Sequence, residues 1–150
     1  MARRRVSNQP IRLAAGSFIL NSGIEKLKAG EDRAKGLHTM ASGSFPFFEK
    51  LPPEQFAKGL AVAEVALGGS LLVPLISDRM AGLALTPFAG GLLWMYANTD
   101  GMHEPGGIRP TRSGTALAKD VWLLGIGLTL LTTGGRSKRA RKAKKAAAKS

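Results

Sequence analysis

The chain has 150 residues, 44% of them hydrophobic, a formal charge of +12 and no cysteine. A single domain is therefore the natural expectation, and disulfides, thiolate nucleophiles, CxxC redox pairs and iron–sulfur ligands are excluded. Its mean hydropathy of zero hides an uneven layout. The four arginines of residues 1–12 and the eight Lys or Arg of residues 136–150 supply the whole net charge, and the ten bases and ten acids between them are bunched around uncharged runs of 20, 15, 13 and 12 residues (80–99, 121–135, 65–77 and 13–24). A soluble helix needs a polar face at every turn, and these runs have none. The pattern argues against a water-soluble enzyme and against disorder, and for an all-α membrane protein with two basic tails.

Residues 1–10 read as a basic tail, and a first span is expected over about 11–29. Its uncharged core is too short to cross alone, so Arg12 is expected to snorkel at one end while Glu25 and Lys26 reach the interface at the other. Three arginines before an apolar stretch also outline a signal peptide, but no small-x-small cleavage site follows and Asn21 interrupts the run. Next, Glu31, Asp32, Arg33 and Lys35 suit the start of a short surface helix. Phe45, Pro46, Phe47 and Phe48 form an aromatic cluster that either anchors a loop in the interface or marks an entrance for lipid or quinone.

The second span, 55–77, is entered through Leu51-Pro52-Pro53-Glu54, where proline and acid both suit a first helical turn. Asp78-Arg79 is expected to be a tight turn into the third span, 80–98, which at helical rise covers about 28 Å, close to the hydrocarbon thickness. Trp94 and Tyr96 sit at its far end, at headgroup level. Residues 98–113 read as a loop in which Asp100, His103 and Glu104 are solvated rather than metal-binding, and no metal site is expected. His38 and His103 both fall between the apolar runs, which argues against a bis-histidine haem. The fourth span, 114–133, closes a membrane domain of 11–134, followed by the polybasic segment 135–150.

Parity fixes the topology. Two strongly basic tails belong in the cytoplasm, and four spans place both there, with 13 Lys or Arg inside, Arg79 included, against seven in the outer loops. The expected fold is a four-helix transmembrane bundle in the cell membrane. Small residues suggest its close contacts: Gly16 with Gly23, Ala66 with Ser70, and Gly125 with Thr129. Pro74 and Pro87 imply kinks that neighbouring helices tolerate. No Walker loop, GxSxG elbow or HExxH is present, and no repeat suggests inverted transporter halves.

The residues most suited to chemistry are Glu25 and Lys26 of the first span, Glu64 of the second, and Lys119 and Asp120 of the fourth. At 1.5 Å per residue all lie roughly 6 to 10 Å below the outer ends of their spans, in one layer. Charges at such depth face one another or water, so the layer is either a polar plug that fixes helix register or a site for a proton or a headgroup. Three acids against two lysines leave one carboxyl unpaired. Glu64, flanked by Ala63 and Val65, is expected to be that acid, because Glu25 and Asp120 adjoin lysines.

Three stretches, Ser22-Gly23-Ile24-Glu25-Lys26-Leu27, residues 62–72 (VAEVALGGSLL) and Ala118-Lys119-Asp120, resemble the DoxX family of small four-helix membrane proteins, over residues 11–133. By the family's name-giving member, the resemblance implies a membrane subunit of a thiosulfate:quinone oxidoreductase. The chain departs from the family at Ser77-Asp78-Arg79 and in its polybasic tail.

With no cysteine, any redox role must borrow its electron carrier from a quinone or a partner. The function that the resemblance implies is a membrane subunit or anchor of a quinone-linked oxidoreductase or redox-stress complex, expected to have no catalysis of its own. A permease or proton-coupled channel using the Glu64 layer and a purely structural scaffold are the alternatives. Arg136, Lys138, Arg139, Arg141, Lys142, Lys144, Lys145 and Lys149 directly follow a span. They are expected to contact anionic lipid rather than nucleic acid, at about 1 kcal/mol per basic residue.

Overall fold

Proline and charge set where the helices begin. In the computed structural model, which describes residues 8–133, α1 (Gln9–Leu27) and α3 (Pro53–Leu72) both carry proline in the first turn, where its missing N–H costs nothing. Helix α2 (Glu31–Ser44) starts with Glu31 and Asp32 against its positive dipole end. A short 3-10 helix, Pro46–Lys50, links it to α3. Helix α4 (Asp78–Asn98) is capped by Ser77, whose hydroxyl accepts from the Met80 N–H. After residues 99–114 come α5 (Thr115–Ala118), a turn at Lys119-Asp120, and α6 over residues 121–133. Among the described residues there is no strand, only a bridge between His103 and Pro110. The lipid-binding expectation for Arg136 to Lys149 falls outside the described residues.

Two helical stretches, Asp78–Asn98 and Thr115–Thr133, are long and apolar enough to cross a membrane. Helices α1 and α3 match them in length, with 19 and 20 residues, but carry charges within their spans. All four share one core: Ala15 and Ile19, Leu67 and Leu71, Ala81, Leu85 and Ala89, and Leu123 and Leu130. Leu13, Phe18, Val62, Leu83, Val121 and Leu128 face outward, whereas Arg12, Glu64 and Asp120 are buried. Buried charge beside exposed large apolar side chains is the informative departure from the usual distribution.

The helices pair through glycine, in a register that differs from the expected one. Gly16 of α1 does meet α3, at Leu71 and Leu72, and Gly23 meets it at Ala61 and Val65, but the α3 glycine that packs on α1 is Gly68: a Cβ there would stand 2.5 Å from the Leu20 nitrogen. Ala66 is exposed. In the α4–α6 pair the contact is Gly82 against Gly127, where a Cβ on Gly82 would lie 2.7 Å from the Leu131 nitrogen. Gly125 and Thr129 face outward. In α4 and α6, which are nearly apolar all round, no polar face fixes the rotation in advance.

The second span also ends early. Helix α3 stops at Leu72 rather than reaching Ser77, because Pro74 has no N–H to continue the ladder and holds Val73 in an extended conformation, ψ 118. Pro74 is thus a terminator, while Pro87 lies within α4. The turn consists of residues 73–77, and Asp78-Arg79 is the first turn of α4.

Candidate functional site: buried charges at two levels of the bundle

Ending α3 at Pro74 strands the carbonyls of its last turn, and Arg12 satisfies them. The expectation that Arg12 snorkels is overturned: it is 2% exposed. Its Nε donates to the Leu71 carbonyl at 2.8 Å. Nη1 donates to the Ile76 carbonyl at 2.8 Å and to Asp78 Oδ1 at 2.9 Å. Nη2 donates to the carbonyls of Ser70 at 3.0 Å and Val73 at 2.9 Å. A guanidinium has five N–H donors and each has an acceptor here, one of them a carboxylate that neutralises the charge. The other oxygen of Asp78 accepts from Asn8 at 2.8 Å, and Asn8 also donates to Thr133 at 2.9 Å. One network therefore ties together α1, the end of α3, the start of α4 and the end of α6.

The second level lies toward the α2 end. A cavity of about 210 Å³ is walled mainly by apolar side chains such as Phe18, Phe88 and Leu92, with Ser22, Lys26, Glu64 and Asp120 as its polar groups. Lys26 donates to Glu64 Oε2 at 2.9 Å and to Ser22 Oγ at 2.7 Å. Glu64 is 4% and Asp120 9% exposed. Among the described residues Asp120 has no ion pair, and the charges acting on it are those of Glu64 and Lys26. Among the same residues Lys26 thus pairs with Glu64 alone, and Asp120 is left as a second carboxylate in the same largely apolar cavity. Buried carboxylates so placed hold or exchange a proton and accept hydrogen bonds from a ligand's O–H, while Lys26 and Ser22 can donate to a carbonyl.

Three of the five expected layer residues meet in this cavity. Glu25 and Lys119 are exposed and do not line it. The acid left over is Asp120 and not Glu64, because the lysine that pairs with Glu64 comes from another helix and could not be read from adjacency in sequence.

Phe18 both lines the cavity and is 56% exposed, which puts it at the mouth. Its ring meets Trp122 of α6 edge-on at 5.8 Å, across the seam between α1 and α6. The aromatic cluster stands elsewhere: Phe48 packs on Phe56 at 4.8 Å, and His38 Nε2 donates to the Phe48 carbonyl at 2.9 Å. It does not contribute to the cavity wall. In the loop, His103 meets Tyr96 of α4 edge-on at 6.1 Å, and Tyr96 donates to the Ile108 carbonyl at 2.7 Å.

Sequence reasoning missed the Arg12 network. A signal was present, since Arg12, Gly16, Ile19, Gly23 and Lys26 follow alternating steps of four and three, the spacing of one helix face. No family model matches the chain, and no curated protein or solved structure matches it.

Proposed function

We propose that the chain is a four-span membrane protein with both termini in the cytoplasm. In this reading its cavity holds the headgroup of a quinone-class ligand on behalf of an oxidoreductase partner, without catalysis of its own. The observation that carries the reading is the cavity itself: one lysine, one hydroxyl and two carboxylates in a largely apolar cavity walled by α1, α2, α3, α4 and the α5–α6 segment. Ionisable groups cost too much at membrane depth to persist without a partner or a task. Ligand pockets usually measure about 300–1,000 Å³, so 210 Å³ suits a single ring whose apolar tail leaves past Phe18 into lipid. Lys26 and Ser22 would donate to quinone carbonyls, and Glu64 and Asp120 would accept from quinol hydroxyls. The outward apolar side chains of α1 and α3 support membrane contact for all four long helices. The three cavity charges also fall one each in the stretches that resemble the DoxX family.

A channel is less well supported. Below the cavity, Ala15, Leu71, Leu85 and Leu130 are fully buried, and Arg12 seals the level beneath them. The remaining alternative is a scaffold in which Lys26–Glu64 only pins helix register.

The test uses the two tryptophans. In the Trp94→Phe variant, Trp122 reports alone from the cavity mouth. Decyl-ubiquinone should quench it saturably in vesicles, and Glu64→Gln should weaken that quenching. Quenching that rises linearly with membrane quinone, as for indole dissolved in lipid, would overturn the reading. For the topology, reporters fused after Gly43 and Gly107 should lie outside, and those after Asp78 and Ser150 in the cytoplasm.

A further inference from the structure

Lys26 stands in the wall of two cavities. The first is the apolar one described above. The second, about 270 Å³, lies among the end of α1 and the starts of α2 and α3, and is lined by Glu31, Glu54 and Lys58 together with small residues such as Ala29 and Ala57. Lys26 is the one residue among those described that lines both. Its side chain is 12% exposed, and its ammonium is held on Ser22 and Glu64, on the side of the apolar cavity. The walls differ in character: charged and exposed residues surround the outer chamber, whereas hydrocarbon dominates the inner one. A lysine stem spans several ångströms and swings about flexible bonds, so the ammonium now held on the inner side can be drawn toward Glu31 and Glu54 on the other.

We propose that Lys26 is the gate of a polar access route from the outer chamber to the inner cavity, by which water and protons reach Glu64 and Asp120 from the face that carries α2. The proposal rests on the reading of the inner cavity as a ligand site and gives that site a side: protons taken up or released there exchange with the α2 face. The packed core below, Ala15, Leu71 and Leu85, separates the cavity from the other face. When the Lys26–Glu64 pair is closed the route is shut. When Lys26 turns outward, the inner carboxylates are exposed to solvent.

The absence of cysteine makes single-cysteine accessibility the direct test. Ser22→Cys places a thiol beside the Lys26 ammonium in the inner cavity, Ala29→Cys marks the outer chamber, and Ala15→Cys marks the packed core. Each full-length variant, in vesicles of known orientation, is treated with a membrane-impermeant cationic methanethiosulfonate on the α2 face. Ala29→Cys should react fast, Ala15→Cys not at all, and Ser22→Cys slowly. Adding Lys26→Ala should accelerate Ser22→Cys about tenfold, the factor that corresponds to ~1.4 kcal/mol of opening free energy, with Ala15→Cys still inert. If Lys26→Ala alone loosens the bundle so that Ala15→Cys reacts, Lys26→Ala with Glu64→Gln removes the pair without stranding a carboxylate, and the same acceleration is expected in it. Equal Ser22→Cys rates with and without Lys26, or reaction only from the opposite face, would overturn the gate. Saturable quinone quenching with no such gating would leave the ligand site standing without its route, whereas gating without quenching would remove the quinone and keep the access path.

Discussion

At the Arg12 level one guanidinium meets five acceptors, and its charge is balanced by Asp78. At the cavity level one ammonium pairs with one of two carboxylates, and space remains beside them. Both levels bury charge, yet at the first every guanidinium donor is used, while the second has a surplus acid beside a cavity. A saturated network holds helices together. A network short of one cation, next to a cavity, has capacity left for a ligand.

The largest expected effect comes from breaking the saturated level. Arg12→Met would strand the carbonyls of Ser70 and Leu71 at the end of α3 and of Ile76 in the following turn and leave Asp78 without its cation, so a loss of about 3–5 kcal/mol is expected, the range for removing one partner of a buried pair. Thermal melting in mild detergent should show it. Arg12→Lys should rescue little, because three donors on a point charge cannot reach five acceptors. If Arg12→Met melts like the parent, the network carries no stability and the contrast between the levels fails.

Glycine contacts sharpen the same comparison at intermediate size. Gly68→Ala puts a methyl against the α1 backbone and should cost about 1–3 kcal/mol, whereas Gly125→Ala meets nothing within 4 Å and should be neutral or slightly stabilising. The two melts together test the register, and a reversed order would mean that the pairing is read two residues out.

Lys119→Met should have the smallest effect. Lys119 is exposed beside the turn that leads into α6, so its loss should change neither the melting temperature nor the quinone quenching of Trp122. A clear loss of either would bring Lys119 back into the charge layer.

The sequence makes much of this legible, and what it hides is specific. The start of α3 follows from Pro53 and Glu54, and the apolar runs announce α4 and α6 directly, whereas Asp78-Arg79, which reads as a turn, opens α4. Grouping the charges by depth and by adjacency gave a layer of five, but rotation about the helix axis decides which of them face inward. The inward residues follow steps of three and four: Arg12, Gly16, Ile19, Gly23 and Lys26 on α1; Ala57, Ala61, Glu64, Gly68 and Leu71 on α3; Asp120, Leu123, Gly127 and Leu130 on the last span. Glu25 and Lys119 each stand one residue off these stripes, about 100° round the helix. The stripes were available in the sequence, but their partners were not. That Lys26 meets Glu64, and that Arg12 meets a helix end created by Pro74, are facts of tertiary packing between residues 38 and about 60 positions apart.

The central claim is that the cavity charges are kept for a ligand and not for stability. The most direct measurement is the thermal melt of Asp120→Asn beside that of the parent, both in the same detergent at neutral pH. Asn keeps the shape of Asp and removes the surplus charge that faces Glu64 across the cavity. The expected result is an unchanged or higher melting temperature, because relief of like-charge repulsion and of a buried unpaired carboxylate favours the bundle. A clearly lower melting temperature would contradict the claim, since Asp120 would then be part of what holds the helices together.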